Sequence, residues 1–175
     1  IVLGAALANQ LALTGSLIHL LNHALMKGTL FLAVGAVVYK TGIEEISGLK
    51  GMGKKMPFTM AAFTVGALSM IGVPLTVGFI SKRYLALGAL KAGMWFFVLI
   101  ILISSLLTAV YFWRVIEGIY FPQKSEEKNL IQNPKSKIQN RDDAPAGMLA
   151  PMLILAGLCI VFGIAAFIPA SLVTP

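Results

Sequence analysis

Little in this sequence carries charge. Charged residues make up 12%, about half the share of an ordinary soluble domain. A soluble core built from 175 residues needs a far more charged surface. That scarcity excludes a soluble globular domain, a disordered chain, and a nucleic-acid binder whose basic residues form a stripe. Cysteine is nearly missing too. Cys159 stands alone, which excludes an internal disulfide and every cysteine-rich metal motif. It lies in an apolar run and reads as a small core or lipid-facing residue. There is no glycine-rich phosphate loop, no haem or iron–sulfur motif and no nucleophile triad. No redox or hydrolytic site and no cofactor is therefore expected within this chain. Carboxylates are absent from the depth of every apolar run; Glu117 lies near the end of one.

What is abundant is apolar surface. Hydrophobic residues reach 58%, with 17 glycines besides, and the mean hydropathy is +0.86. The expected fold is an all-α integral membrane protein, a polytopic bundle of transmembrane helices. A span needs roughly 20 apolar residues. Residues 1–8 are too few and read as the tail of a span cut short, so the chain reads as a fragment. Asn9 and Gln10 mark the end of that tail. Thr14 or Ser16 is expected to cap the next helix, which runs to about Tyr39. A loop over 40–56 follows, in which Ile43, Ile46 and Leu49 recur at helical spacing. The run from Pro57 to about Leu90 is too long for one straight span and is interrupted at Gly72-Val73-Pro74. Proline lacks an N–H and clashes with the preceding turn, so one helix is expected to be broken here, with Gly78 as a second weak point. A fourth segment covers 93–120, and a last span runs from about Ala146 to Ile168, closed by Pro169. Residues 1–120 are expected to form the transmembrane domain, 121–147 a mobile polar loop with no core, and 148–175 the last helix and tail.

Basic residues orient the bundle. Lys40, Lys50, Lys54 and Lys55 follow the second segment, and Arg114, Lys124, Lys128, Lys135, Lys137 and Arg141 follow the fourth. The opposite side holds Lys91, with Lys82 and Arg83 only if they lie outside the membrane. By the positive-inside bias, loops 40–56 and 121–147 are expected to face the cytoplasm of a prokaryotic-type cell.

Two constellations stand out. His19, His23 and Lys27 are spaced i, i+4, i+8, which puts three ionisable groups on one helix face about 6 Å apart. Lys27 lies near the centre of its span, where a lysine costs about 2.5–3.5 kcal/mol to insert. Such groups normally face a bundle interior or a wet cavity. The bland alternative is a pair of hydrogen-bonded core histidines and a snorkelling lysine. A zinc site is a third option, which no cysteine or nearby carboxylate completes. The second constellation is the break at Gly72 and Pro74 with Lys82 two turns beyond. Freed backbone groups survive at membrane depth only where protein or water meets them, and transporters place such breaks on their pathways. The alternative is a packing kink with Lys82 at the interface. Tyr111-Phe112-Trp113-Arg114, with Glu117 able to pair with Arg114, reads as an interfacial belt. Phe58, Met52, Met56 and Met60 read as packing.

The stretches His19-Leu-Leu-Asn-His23-Ala-Leu-Met-Lys27-Gly-Thr-Leu-Phe-Leu, Gly48-Leu-Lys-Gly-Met-Gly-Lys-Lys-Met-Pro57 and Gly72-Val-Pro-Leu-Thr-Val-Gly-Phe-Ile-Ser-Lys82 resemble the proton-conducting antiporter-like subunits. That family covers the A-type and D-type subunits of Mrp-type cation/proton antiporters and the large membrane-arm subunits of complex I and of membrane-bound hydrogenases. The wording around Lys82 to Leu85 and Tyr111 to Phe121 is similar to the D-type Mrp chains. The resemblance implies the C-terminal part of an inverted-repeat fold. It implies that Lys27 and Lys82 carry protons and that His19 and His23 line the polar axis between them. It further implies partnership with other membrane subunits of an antiporter or a respiratory complex.

The leading expectation is a proton-translocating subunit of a multisubunit Na+/H+ antiporter in the lipid bilayer. The alternative is the equivalent subunit of a complex I-type NADH:quinone oxidoreductase or a membrane-bound hydrogenase; a structural scaffold is a third. Protons are the expected cargo, with sodium a further candidate. A hard cation wants several oxygen ligands, and the spans of this chain supply few. No nucleic acid is expected as a partner.

Overall fold

Asparagine, glycine and proline punctuate an otherwise apolar chain into helices. The computed structural model describes residues 1–121 and 143–165, and among these every regular element is helical. The elements are α1 (Val2–Ala6), α2 (Gln10–Thr41), a 3-10 turn (Ile46–Leu49), α3 (Met52–Lys55), α4 (Pro57–Ile71), α5 (Val77–Lys91), α6 (Trp95–Tyr120) and α7 (Ala146–Ile164). Three of them, α2, α6 and α7, are long and apolar enough to cross a membrane. At 15 residues each, α4 and α5 reach only about 22 Å apiece. Only in succession are they long enough to cross a hydrocarbon core of about 30 Å. The all-α polytopic membrane fold with one broken helix is the architecture observed.

Several boundaries differ from the sequence reading. Asn9 caps α2, its side chain accepting from the Ala12 amide at 2.9 Å, so neither Thr14 nor Ser16 does so. Ser16 instead donates to the Ile1 carbonyl at 2.8 Å, tying α1 down. Asparagine competes well for a cap because its short side chain reaches the free amides of the first turn. Gly78 is no weak point. It lies inside α5 where a Cβ would collide with the Ser69 carbonyl oxygen, so glycine serves the close approach of the two half-helices. Phe58 is largely exposed, whereas Met52, Met56 and Met60 are buried, as the packing reading requires.

The polar loop is anchored at its far end. Asp143 accepts hydrogen bonds from the Phe58 amide (2.7 Å), the Thr59 amide (3.2 Å) and the Thr59 hydroxyl. Helix α4 starts on Pro57 after Met56, which has no capping side chain, so a carboxylate 85 positions downstream does that work. Ala144 next to it is buried. The remaining loop positions over 122–142, and the end of the last span at Ile168 and Pro169, lie outside the described residues.

Helix α2 is the hub and packs against α4, α5 and α7. Ala33, Ala36 and Val37 of α2 meet Met60, Phe63 and Ala67 of α4, with Met152 and Ala156 of α7, in the larger core. Cys159 sits with Met26 and Val77 in a second, smaller one, so its core reading holds. Helix α6 behaves differently. It touches α4 and α5 along one side and leaves Leu102, Leu106 and Trp113 more than 60% exposed.

Candidate functional site

The site follows from how α2 and α5 lie together. Asn9 Nδ2 donates to the Gly88 carbonyl at 2.8 Å, and Asn22 Nδ2 donates to the Val77 carbonyl at 2.8 Å. Between them, His19 Nδ1 and Ser81 Oγ are 2.9 Å apart. The paired numbers run in opposite senses, so the helices are antiparallel. Small residues bring them close: a Cβ on Gly15 would stand 2.9 Å from the Leu85 amide nitrogen. The same register, continued along α2, brings Lys27 level with the break between α4 and α5.

Each member of the ladder has a distinct setting. Ser81 is fully buried, its hydroxyl 3.2 Å from the Gly78 carbonyl and 2.9 Å from His19 Nδ1, so it holds the His19 ring in place against α5. The rings of His19 and His23 lie 5.6 Å apart, tilted by 35°. His23 Nδ1 is buried without a hydrogen-bond partner among the described residues. Lys27 is exposed in this chain, with its ammonium 5.9 Å from the centre of the Phe31 ring. It lines a cavity of about 420 Å³ together with Phe31, Met70 and Tyr111, and Glu44 and Glu45 line it as well.

The break itself is well built. Gly72 ends α4 in the left-handed conformation at φ +88°, and the Val73 amide donates back to the Leu68 carbonyl at 3.2 Å. Leu75 also adopts a left-handed φ of +74°, which costs a side-chain-bearing residue about 1–2 kcal/mol. Thr76 steadies the turn by donating from its hydroxyl to the Val73 carbonyl at 2.6 Å. Lys82 then folds back from α5. Its Nζ donates to the Met70 carbonyl at 3.0 Å, the Ile71 carbonyl at 2.9 Å and Ser105 Oγ at 2.9 Å. The two carbonyls belong to the C-terminal end of α4, where the helix dipole favours a cation. A Cβ on Gly72 would approach the Lys82 Cδ to 3.2 Å, so glycine leaves room for the lysine stem.

His19, His23 and Lys82 thus lie about the α2–α5 seam and the end of α4, and Lys27 faces a cavity between α2, α4 and α6. Gly72 and Pro74 fall in the break, with Gly72 making the helix end and Pro74 exposed in the turn beyond it. Asn22, Ser81 and Ser105 complete the polar set; Asn22 and Ser81 lie inside the quoted motif stretches without being singled out, and Ser105 lies outside them. For Ser105 the only hint was a serine within a 26-residue apolar helix.

Intramembrane ionisable groups strung beside a broken helix define a class: polytopic membrane proteins built round a polar axis. The family described as NADH:quinone oxidoreductase/Mrp antiporter, transmembrane, matches residues 1–108, and the chain belongs to it. NADH-quinone oxidoreductase subunit N of Desulforudis audaxviator is 50% identical over 167 residues, covering 94% of this chain and 33% of that protein. Na(+)/H(+) antiporter subunit A1 of Staphylococcus aureus is 36% identical over 163 residues, covering 87% of this chain and 19% of that protein. Among solved structures, the Mrp complex from Dietzia sp. superposes with a TM-score of 0.83 at 24% identity, over 97% of this chain and 38% of that one. The chain thus spans about a third or less of the curated relatives it matches.

Proposed function

We propose that this chain is the proton-carrying C-terminal part of an antiporter-like membrane subunit in a redox-driven, complex I-type assembly. The 50% identity to an NADH-quinone oxidoreductase subunit N carries this choice over the Mrp antiporter reading. In this reading the alternative drawn from the sequence takes precedence over the leading one, and the likeness to the D-type Mrp chains is secondary. On that reading the redox chemistry belongs to other subunits, and this one moves protons within the bilayer.

The path we infer runs along Lys27, His23, His19 and Lys82. Lysines suit it because each can hold or release one charge, whereas arginine stays protonated. The carbonyl end of α4 offers Lys82 a resting place in its charged form. His19 lies between, its ring held at Nδ1 by Ser81. His23, with Nδ1 unpaired, continues the axis toward Lys27. Loops 40–56 and 121–147 face the cytoplasm in this proposal, on the strength of their basic residues. Residues 1–120 form the working domain and 148–175 a flanking helix and tail. A second reading, a subunit of a multisubunit Na+/H+ antiporter, draws on the 36% identity to antiporter subunit A1.

The test is made in the full-length subunit within its complex, reconstituted in sealed vesicles. Lys27→Ala with Lys82→Ala is expected to abolish most proton transport while the complex still assembles. Wild-type flux in that double variant would sink the proposal. Flux driven by a sodium gradient, and indifferent to quinone reduction, would transfer it to the antiporter reading.

A further inference from the structure

Lys82 is a three-donor group, and its three partners are not alike. Met70 and Ile71 offer main-chain carbonyls, which accept and never donate. Ser105 offers a hydroxyl, which does both. At present that hydroxyl donates to the Ile101 carbonyl at 2.9 Å and turns its lone pairs to Lys82 Nζ at 2.9 Å. All three partners are therefore acceptors. The cage matches an ammonium with three N–H groups. It does not match a neutral amine, whose lone pair would face an acceptor oxygen. A lysine that releases its proton here must leave the cage, or one partner must become a donor.

We infer that Ser105 is the positioning residue that allows Lys82 to give up its proton without leaving the helix break. The step balances simply. A proton passes from Lys82 Nζ to a water molecule, leaving a neutral amine with a free electron pair. The Ser105 O–H rotates away from the Ile101 carbonyl and donates to that pair. No covalent bond of Ser105 changes. The Ile101 carbonyl has a second lone pair, which the i+4 amide of α6 occupies, so the rotation strands no buried acceptor. On reprotonation the hydroxyl turns back. Neither Met70 nor Ile71 can act in this way, so the device rests on one side chain of α6. It also gives α6 a part in the site, since Ser105 is its contact with the lysine.

This inference rests on the reading of Lys82 as a proton carrier, and the experiment separates the two. Proton flux is measured in the full-length complex for Ser105→Thr, Ser105→Val, Ser105→Ala and Lys82→Ala. Thr and Val have the same shape, and only Thr keeps the hydroxyl. Ser105→Thr is expected to stay near wild type, and Ser105→Val to lose about fivefold, the size of one hydrogen bond to the neutral amine. If Ser105→Val fails to assemble, Ser105→Ala is read in its place by the same criterion. Wild-type flux in the variant lacking the hydroxyl overturns the inference, as does a Thr variant as slow as the Val or Ala one, which would mark a packing role. If Lys82→Ala itself keeps full flux, the reading of Lys82 falls and the role of Ser105 with it.

Discussion

The two lysines of the candidate site are held in opposite ways. Lys82 folds into the break, with its three donors on Met70, Ile71 and Ser105. Lys27 stands at the edge of a cavity of about 420 Å³, over the face of Phe31. Met70 is common to both settings: its carbonyl accepts from Lys82, and the residue lines the cavity beside Lys27. The difference is one of mobility. A caged ammonium gives up its proton only when the cage adapts, whereas a lysine above an aromatic ring can change partners without rearranging the backbone. In the proposed path, the held end is where a charge can be stored. That is a physical reason for a helix break: its free carbonyls supply the holding site.

The comparison breaks most sharply if the lysines are exchanged for residues that cannot cycle. Lys27→Arg retains the charge and cannot shuttle, so proton flux in the complex is expected to fall at least about tenfold. A structural charge at position 27 would let arginine substitute, and near-normal flux would show it. Gly72→Ala acts on the held end alone. It forces a side chain into φ +88° and against the Lys82 stem, which should lower stability by about 1–2 kcal/mol and slow transport several-fold. Unchanged thermal stability of the purified subunit would argue that the break is laxer than it looks. Removing Asp143, at the other end of α4, sharpens the picture further. Asp143→Ala removes a cap worth about 1 kcal/mol and should weaken the anchoring of α4 more than it slows transport. Hydrogen exchange at Phe58 and Thr59 reads this directly, and unaltered protection there would contradict it. The smallest effect on flux is expected for His23→Ala, about two- to threefold, because water can span part of the gap of about two helical turns that it leaves.

Much of this was legible in one dimension. The i, i+4, i+8 spacing of His19, His23 and Lys27 obliges any helix to put them on one face, and α2 does so. Gly72-Val73-Pro74 announced a break in an apolar run, and α4 and α5 part there. The cause of the break is another matter. Proline is the residue a sequence singles out, yet the helix ends on Gly72, because a left-handed C-terminal residue satisfies the last carbonyls directly. Asp143 illustrates the limit. In sequence it is one acid within a polar stretch, and nothing local says that it closes the end of a helix 85 positions earlier.

By itself, then, the sequence determined the membrane setting, the helical segments, the break and the ladder, because hydropathy and helical periodicity act over a few residues at a time. Only the tertiary structure decided which polar groups meet. Ser81 found His19, Asn22 found the Val77 carbonyl, and Ser105 found Lys82, each across more than 20 positions of chain. A buried hydroxyl or amide bonds whatever the packing brings within about 3 Å, and the antiparallel register of α2 on α5, set by close contacts between small residues, fixes which partner that is.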